Sequence, residues 1–214
     1  MLNVGLTGGI GSGKSTIDRL FSAKGAYIID FDALTYFVEE PNRQAWKEIV
    51  EHFGKKILNA DDTINRKKLG EIVFRDRKKL NKLNSIVHPV VINEWQKRIE
   101  NIRKEKEDAI IISDVPLLIE IGLHNRVDIR ILVYISPEEQ IKRIIKRDGY
   151  SIKKAEYRLN SQMSIDDKIP YADFVINNEG PLKETSKIVD EIWEKLLEKE
   201  RIIRKRYIND GGRK

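Results

Sequence analysis

The first apolar run of the chain, Asn3 to Thr7, is short and unbroken, and a glycine-rich stretch follows it directly. Beyond the glycines, Ile17, Leu20 and Phe21 recur at i, i+3 and i+4, the period of an amphipathic helix, and Gly25 is placed to end it. Ala26 to Ile29 is a second short apolar run, closing on Asp30-Phe31-Asp32. A strand, a helix and a strand in that order form a parallel unit with a right-handed crossover.

From Asp32 to about Lys106 the pattern becomes helical throughout. Trp46, Ile49, Val50 and Phe53 lie on one stripe, ended by Gly54. Leu69, Ile72 and Val73 mark a second helix, Leu80 and Leu83 a third, and Val91, Ile92, Trp95, Ile99 and Ile102 a long fourth. Strand-like runs then return. Ala109 to Ile112 ends at Ser113-Asp114, and Ile129 to Ile135 ends at Ser136-Pro137. Both runs are continuous rather than alternating, as in strands covered on both faces. Ser136-Pro137-Glu138-Glu139 reads as a helix start, with a serine cap, proline in the first turn and glutamate three residues after the cap. A charged helical stretch covers Ser151 to about Ile165, Phe174 to Ile176 supplies a fifth strand, and Leu182 to Ile202 a final helix. The expected class is α/β: a five-stranded parallel sheet with helices on both faces.

Composition narrows the chemistry. The 214 residues are 40% hydrophobic and 35% charged, which fits a globular chain with a heavily charged surface. There is no cysteine, so disulfides, thiolate metal sites and cysteine nucleophiles are excluded. Met1 leads almost at once into Val4-Gly5-Leu6 and the glycine loop, which leaves no room for a signal peptide. No apolar run approaches the roughly 20 residues needed to cross a membrane, so no membrane partner is expected and the cytoplasm is the expected location. The net charge of +6 owes much to the C-terminal end, where Lys199, Arg201, Arg204, Lys205, Arg206, Arg213 and Lys214 face only Glu198, Glu200 and Asp210. A solvated helix end and tail accounts for them. A nucleic-acid footprint needs aromatic or groove-fitting elements beside it, and only Tyr207 is near, so no nucleic-acid partner is expected.

The sequence Gly8-Gly9-Ile10-Gly11-Ser12-Gly13-Lys14-Ser15 matches the pattern G-x-x-x-x-G-K-[ST] in full, and it follows a predicted strand and opens a predicted helix. In such a loop, backbone N–H groups and the positive helix end hold phosphates, and the glycines let the backbone curl around them. Lys14 reaches the β- and γ-phosphates, and the Ser15 hydroxyl is placed to ligate Mg²⁺. Asp30 and Asp32 stand at the carboxyl end of the second strand, the edge where ligands bind in open α/β sheets. One of them could accept the proton of an attacking hydroxyl; equally, Asp32 could simply cap the following helix. Asp114 ends the third strand, where an acidic residue can hold Mg²⁺ through water, or cap a turn. Arg143 and Arg147 are four apart and share a helical face, and Arg158 and Gln162 repeat the spacing. Arginines beside a P-loop suit a lid that clamps the transferring phosphate, although an isolated arginine is more often plain surface. His88 has no metal-ligand pattern around it.

Together these elements resemble the dephospho-coenzyme A kinase family over about residues 2 to 195. The resemblance runs from Leu6-Thr7-Gly8 through Ser15-Thr16, through the Asp-x-Asp of Asp30 and Asp32, and through Asn65-Arg66, Leu69, Val73-Phe74, Leu83-Asn84 and His88-Pro89. It continues in Val115-Pro116-Leu117-Leu118-Ile119-Glu120, Arg158 with Gln162, and Ala172-Asp173 through Asn177-Asn178-Glu179-Gly180. It implies a P-loop NTPase-type fold that transfers the ATP γ-phosphate to the ribose 3′-hydroxyl of dephospho-coenzyme A. The base then falls on Asp32, with Lys14 and Arg143 as the other catalytic groups. Gly8, Gly9, Gly11, Ser12, Gly13, Lys14, Ser15 and Thr16 are the implied ATP cradle, with Arg147, Arg158, Asn177, Asn178 and Gly180 also on the nucleotide. Asp32, His88, Pro116 and Leu117 line the acceptor, and Ser15, then Asp114, hold Mg²⁺. The implied organisation is a nucleotide-binding core of 1–32, 107–137 and 170–198, an acceptor-binding insertion of 33–106, a lid of 138–169, and a basic tail of 199–214. Two other readings remain: a nucleoside monophosphate or other small-metabolite kinase, and a P-loop ATPase that binds nucleic acid through its basic end.

Overall fold

A computed structural model describes the backbone of residues 1–211 and the side chains of residues 1–205. In chain order it contains strand β1 (Leu2–Gly8), helix α1 (Lys14–Ala23), strand β2 (Tyr27–Asp30), and helices α2 (Phe31–Val38), α3 (Gln44–Phe53), α4 (Arg66–Val73) and α5 (Arg77–Glu105). Strands β3 (Ile110–Asp114) and β4 (Ile129–Tyr134) follow, then helices α6 (Pro137–Asp148), α7 (Ile152–Leu159) and α8 (Ile165–Lys168), strand β5 (Phe174–Asn177) and helix α9 (Leu182–Gly211).

The strand order is β2-β3-β1-β4-β5. β1 is central and parallel to both neighbours, pairing Leu2 with Ile110 through Leu6 with Asp114 on one side, and Val4 with Ile129 through Gly8 with Val133 on the other. β5 adds outside β4, from Ile131 opposite Phe174 to Tyr134 opposite Asn177. The chain leaves β1 toward the β2–β3 side and later crosses to β4. Strand order therefore reverses at β1, and the crevice beyond its carboxyl end is where such sheets take ligands.

Alternation along β1 sets the two faces. Leu2, Val4 and Leu6 are buried with Ile17 and Phe21 of α1 and Val189, Ile192 and Leu196 of α9. On the other face Gly5 admits a loop that no larger residue would: a Cβ there would lie 2.8 Å from Leu118 Cδ2. Asn3 shares that face, its Oδ1 accepting from Ser113 Oγ at 2.9 Å and its backbone exchanging hydrogen bonds with Asp128.

The chain divides into two compact units, Met1–Ile29 with Ile102–Lys214, and Asp30–Asn101. The second unit is helical, and its one pairing outside helices among the described residues is an isolated bridge between Leu58 and Ile64. It departs from the sequence expectation in two ways. The helix expected after Asp32 starts earlier, at Phe31, so that α2 is capped by Asp30 and buries Phe31, Leu34 and Val38. The expected third and fourth helices are one, α5, which runs through Pro89. Proline costs the helix one backbone hydrogen bond and crowds the preceding turn. Buried Ile86, Val87, Val91 and Trp95 on either side hold the segment together regardless, with Trp95 meeting Phe31 edge-on at 5.5 Å.

Three further corrections concern helix ends. The stretch expected as one helix from Ser151 stops at Leu159, and Ser164 caps the separate α8, so Arg158 and Gln162 do not share a helix. The Ser136 side chain makes no capping bond, and Glu139 turns to Arg143 instead of closing a capping box. The backbone N–H of Ser136 is taken by Glu179 Oε1 at 2.6 Å, from a loop no local pattern could reveal. The supposed tail continues α9 as far as Gly211. Within it Glu200 is buried and accepts from the Met1 amine at 3.1 Å, with Arg204 at 3.5 Å. The side chains of Arg206, Tyr207, Arg213 and Lys214 lie outside the described residues.

Gly54 ends α3 at φ 78°, ψ 162°, with open space where a Cβ would sit. This is backbone that glycine alone adopts comfortably, at a cost of about 1–3 kcal/mol to other residues. Gly54→Ala is expected to lower the unfolding free energy by that amount through backbone strain alone, read as a lower urea midpoint at unchanged slope.

Candidate active site

α1 begins differently from its neighbours. Asp30, Asn65, Ser151 and Ser164 cap α2, α4, α7 and α8 with side-chain oxygens. The residue before α1 is Gly13, at φ 87°, with no side-chain cap and no acidic residue in the first turn. The first N–H groups of a helix lack intrahelical acceptors and carry the positive end of its dipole. This helix presents them at the carboxyl end of β1, in the geometry that binds phosphate.

The surrounding residues explain why glycine recurs. A Cβ on Gly8 would lie 2.5 Å from Ser12 Oγ and 2.8 Å from the Val133 carbonyl; one on Gly9 would overlap the Gln140 amide. One on Gly13 would lie 2.5 Å from Asn178 Nδ2, and Gly11 holds φ 79°. Ser12 is buried, with its N–H on the Gly9 carbonyl at 3.1 Å, and its hydroxyl has no protein partner among the described residues. At Gly8, Gly9 and Gly13 the space a side chain would take is already occupied by neighbouring groups. Lys14 is the first residue of α1, and its Nζ lies 3.8 Å from Asp114 Oδ1 at the end of the adjacent strand. Ser15 is exposed, and the Thr16 hydroxyl accepts from Arg19 at 3.3 Å.

Asn178, directly after β5, braces this loop. Its Nδ2 donates to the Ser12 carbonyl at 2.8 Å, its Oδ1 accepts from Thr185 at 3.0 Å, its N–H reaches the Tyr134 carbonyl, and its own carbonyl accepts from Arg143 Nη2 at 2.9 Å. Arg143 is held on the other side by Glu139 at 3.0 Å. Next along, the hydrogen bond from Ser136 keeps the Glu179 carboxyl below the usual carboxylate range, while Glu179 N–H returns to Asn177 Oδ1. A Cβ on Gly180 would come 2.7 Å from Glu184 Oε2.

The expected site residues therefore separate. The loop from Gly8 to Thr16, Asp114, Arg143 and Asn178 are brought together. Pro116 joins them through its carbonyl, which accepts from the Thr7 hydroxyl at 3.2 Å, and Leu117 beside it is partly exposed. Arg147 is engaged elsewhere: it forks onto Asp148 at 2.8 and 2.9 Å, and that hydrogen bond raises its already high pKa. Arg158 sits beside Tyr150, 3.5 Å from its hydroxyl. Asp32 and His88 belong to the helical unit. There Asp30 Oδ1 takes the N–H of Asp32 at 2.8 Å and of Ala33 at 3.1 Å. The alternative that Asp32 caps α2 is overturned, and its exposed carboxylate is not used for the helix. His88 on α5 is half-buried.

The dephospho-CoA kinase family model matches residues 2–184. The chain belongs to the dephospho-CoA kinase family. A dephospho-CoA kinase of Syntrophus aciditrophicus is 55% identical over 205 residues, covering 96% of this chain and 87% of that protein. One from Carboxydothermus hydrogenoformans is 41% identical over 192 residues, 90% and 93% of the two chains. Among solved structures, the dephospho-CoA kinase of Campylobacter jejuni superposes with a TM-score of 0.70 at 27% identity, over 92% of this chain and 97% of that one. A shikimate kinase from Acinetobacter baumannii, at 18% identity and a TM-score of 0.52 over 93% and 94% of the two chains, shares the fold alone.

Membership of this family does not explain every residue at the site. Gln140, fully buried against Gly9 and donating to the Ile135 carbonyl at 3.2 Å, carries no sequence signal beyond its helical position. Lys168, fully buried, and Glu120, partly buried, form an ion pair at 2.8 Å, and the same ammonium reaches the Pro116 carbonyl. A lysine in the polar run Ser164-Ile165-Asp166-Asp167-Lys168 reads as surface, and only the structure reveals its burial.

Burial holds the His88 pKa below its ordinary value of 6.5. The native state therefore keeps the imidazole neutral where the unfolded chain already binds a proton. The associated stability is present above pH 6.5 and is lost as pH falls from there toward the lowered native value. Across that window His88→Gln is expected to flatten the pH dependence of the urea midpoint relative to the parent; an identical slope would remove His88 as its source.

Proposed function

We propose that this chain transfers the γ-phosphate of ATP to the ribose 3′-hydroxyl of dephospho-coenzyme A. The observation that carries the nucleotide half is the uncapped start of α1, beside Gly8, Gly9 and Gly13, where an added Cβ would come within 3.0 Å of a neighbour. The acceptor half rests on family membership and on the full span of its motifs.

The 3′-hydroxyl oxygen attacks the γ-phosphorus, the bond from phosphorus to the β–γ bridging oxygen breaks, and ADP leaves. The hydroxyl proton goes to the Asp32 carboxylate, which the capping by Asp30 leaves available. Backbone N–H groups of Gly8 to Ser15 hold the donor's phosphates, and Lys14 meets the charge that builds on the oxygens in flight. Asp114 at 3.8 Å orients the Lys14 ammonium. Arg143, tied to Asn178 and Glu139, adds positive charge beside Gly13 without relying on a loose side chain. Asn177, Asn178 and Gly180 shape the nucleotide's base side, Arg147 and Arg158 close over it from the 138–169 lid, and His88, Pro116 and Leu117 line the acceptor.

Mg²⁺ fits this site. No cluster of three or more metal-ligating side chains exists among the described residues, but Mg²⁺ with a nucleotide keeps water and phosphate oxygens and needs only one or two protein groups. The exposed Ser15 hydroxyl would hold it directly, with Asp114 through water. When bound, it neutralises charge on the β- and γ-phosphate oxygens. No helix among the described residues is long and apolar enough to cross a membrane. The family supports a small-molecule substrate, and the reading places its turnover in the cytoplasm.

Offered dephospho-coenzyme A, AMP, CMP and shikimate in a coupled assay, the protein is expected to turn over the first preferentially; preference for another acceptor sinks the reading. Asp32→Asn is expected to lower kcat by about 100-fold, with ATP affinity nearly intact, as loss of a general base requires. An unchanged rate would move the base to another residue.

A further inference from the structure

Lys168 is 0% exposed, the only lysine among the described residues buried so fully. Its ammonium makes two contacts, Glu120 Oε1 at 2.8 Å and the Pro116 carbonyl at 3.4 Å. Withdrawing an ammonium from water is costly, and apolar replacements of such a pair are often neutral or stabilising. Stability alone therefore gives little reason for this pair.

Its location gives a better one. Pro116 and Glu120 bracket the turn that presents Leu117, and one ammonium grips both ends. The same Pro116 carbonyl also accepts from Thr7, the residue immediately before Gly8. Glu120 Oε1 in turn accepts from the Met163 N–H at 3.3 Å, in the segment between α7 and α8. A continuous polar chain thus runs Thr7, Pro116, Lys168, Glu120, Met163. It connects the strand that carries the phosphate loop, the turn that carries Leu117, and the segment leaving α7.

We propose that Lys168 is a positioning residue for the acceptor, fixing the Pro116–Glu120 turn so that Leu117 is held at one distance from the phosphate loop. This rests on the reading that Pro116 and Leu117 line the acceptor. Lys168 touches no reactant; it acts through the turn, so its loss falls on acceptor binding and spares ATP.

The test separates position from stability. Lys168→Met leaves Glu120 unpaired and is expected to lower both the unfolding midpoint and acceptor affinity. In the double variant Lys168→Met/Glu120→Leu the unpaired charge is gone, so the midpoint is expected to recover. The KM for dephospho-coenzyme A is expected to stay about 10-fold raised, with the KM for ATP within about twofold of the parent. Recovery of acceptor KM together with stability would overturn the proposal and leave a purely structural pair. Should the double variant fail to fold, Glu120→Gln keeps the shape and weakens the grip. It is expected to raise acceptor KM about threefold, and an unchanged value overturns the proposal. Leu117→Ala in the same assay isolates the underlying reading. If it leaves acceptor KM unchanged, this turn does not line the acceptor and both ideas fall; if it raises KM and the Lys168 variants do not, only Lys168 is excluded.

Discussion

The end of α1 at Gly13 is the constraint around which the rest of the core is arranged. A helix start with no cap is unfavourable by itself, because its first N–H groups face no acceptor. The fold tolerates it because the groups stand at the carboxyl edge of the central strand, where a phosphate can take them. Everything nearby keeps that edge narrow. Gln140 fills the volume beside Gly9, Asn178 the volume beside Gly13, and Ser12 folds back over Gly8. The glycines are therefore demanded by their neighbours as much as by their own dihedrals.

Charge around the loop is handled by restraint rather than abundance. Lys14 is oriented by Asp114, and Arg143 is fixed by a carboxylate on one side and a carbonyl on the other. Side chains already in place when phosphate arrives lose less freedom on binding. Arg147, one turn further along the same helix, shows the contrast: its largely exposed guanidinium forks onto the neighbouring Asp148 and must exchange that partner before it can meet a nucleotide. Equal spacing on a helix placed these two arginines on one face but did not give them one environment.

What could be read from the chain was whatever is local and repeated. The continuous runs of β1, β3 and β4, the glycine loop and the stripe of α3 each announce themselves within a dozen residues. The elements that escaped depend on partners far away in sequence. Pro89 argues for a break that burial on both sides of it overrides. Ser136 and Glu139 spell a capping box, but Glu179, 43 residues on, arrives with the better-placed carboxylate. Asp30 and Asp32 were indistinguishable by type, and only the backbone settled which one caps α2. Lys168 shows the same limit from the other direction, since polarity in a sequence says nothing about what will cover it.

The bond from Asn178 to Ser12 spans 166 residues. Contacts so distant along a chain close late, because the entropy of ordering everything between must first be met. The phosphate-binding motif is synthesised well before its brace. A chain still emerging from the ribosome carries all of Gly8 to Ser15 and none of Asn178. Phosphate-binding competence is thus a property of the finished core rather than of the motif, and the nucleotide meets a set loop only after β5 has docked against β4.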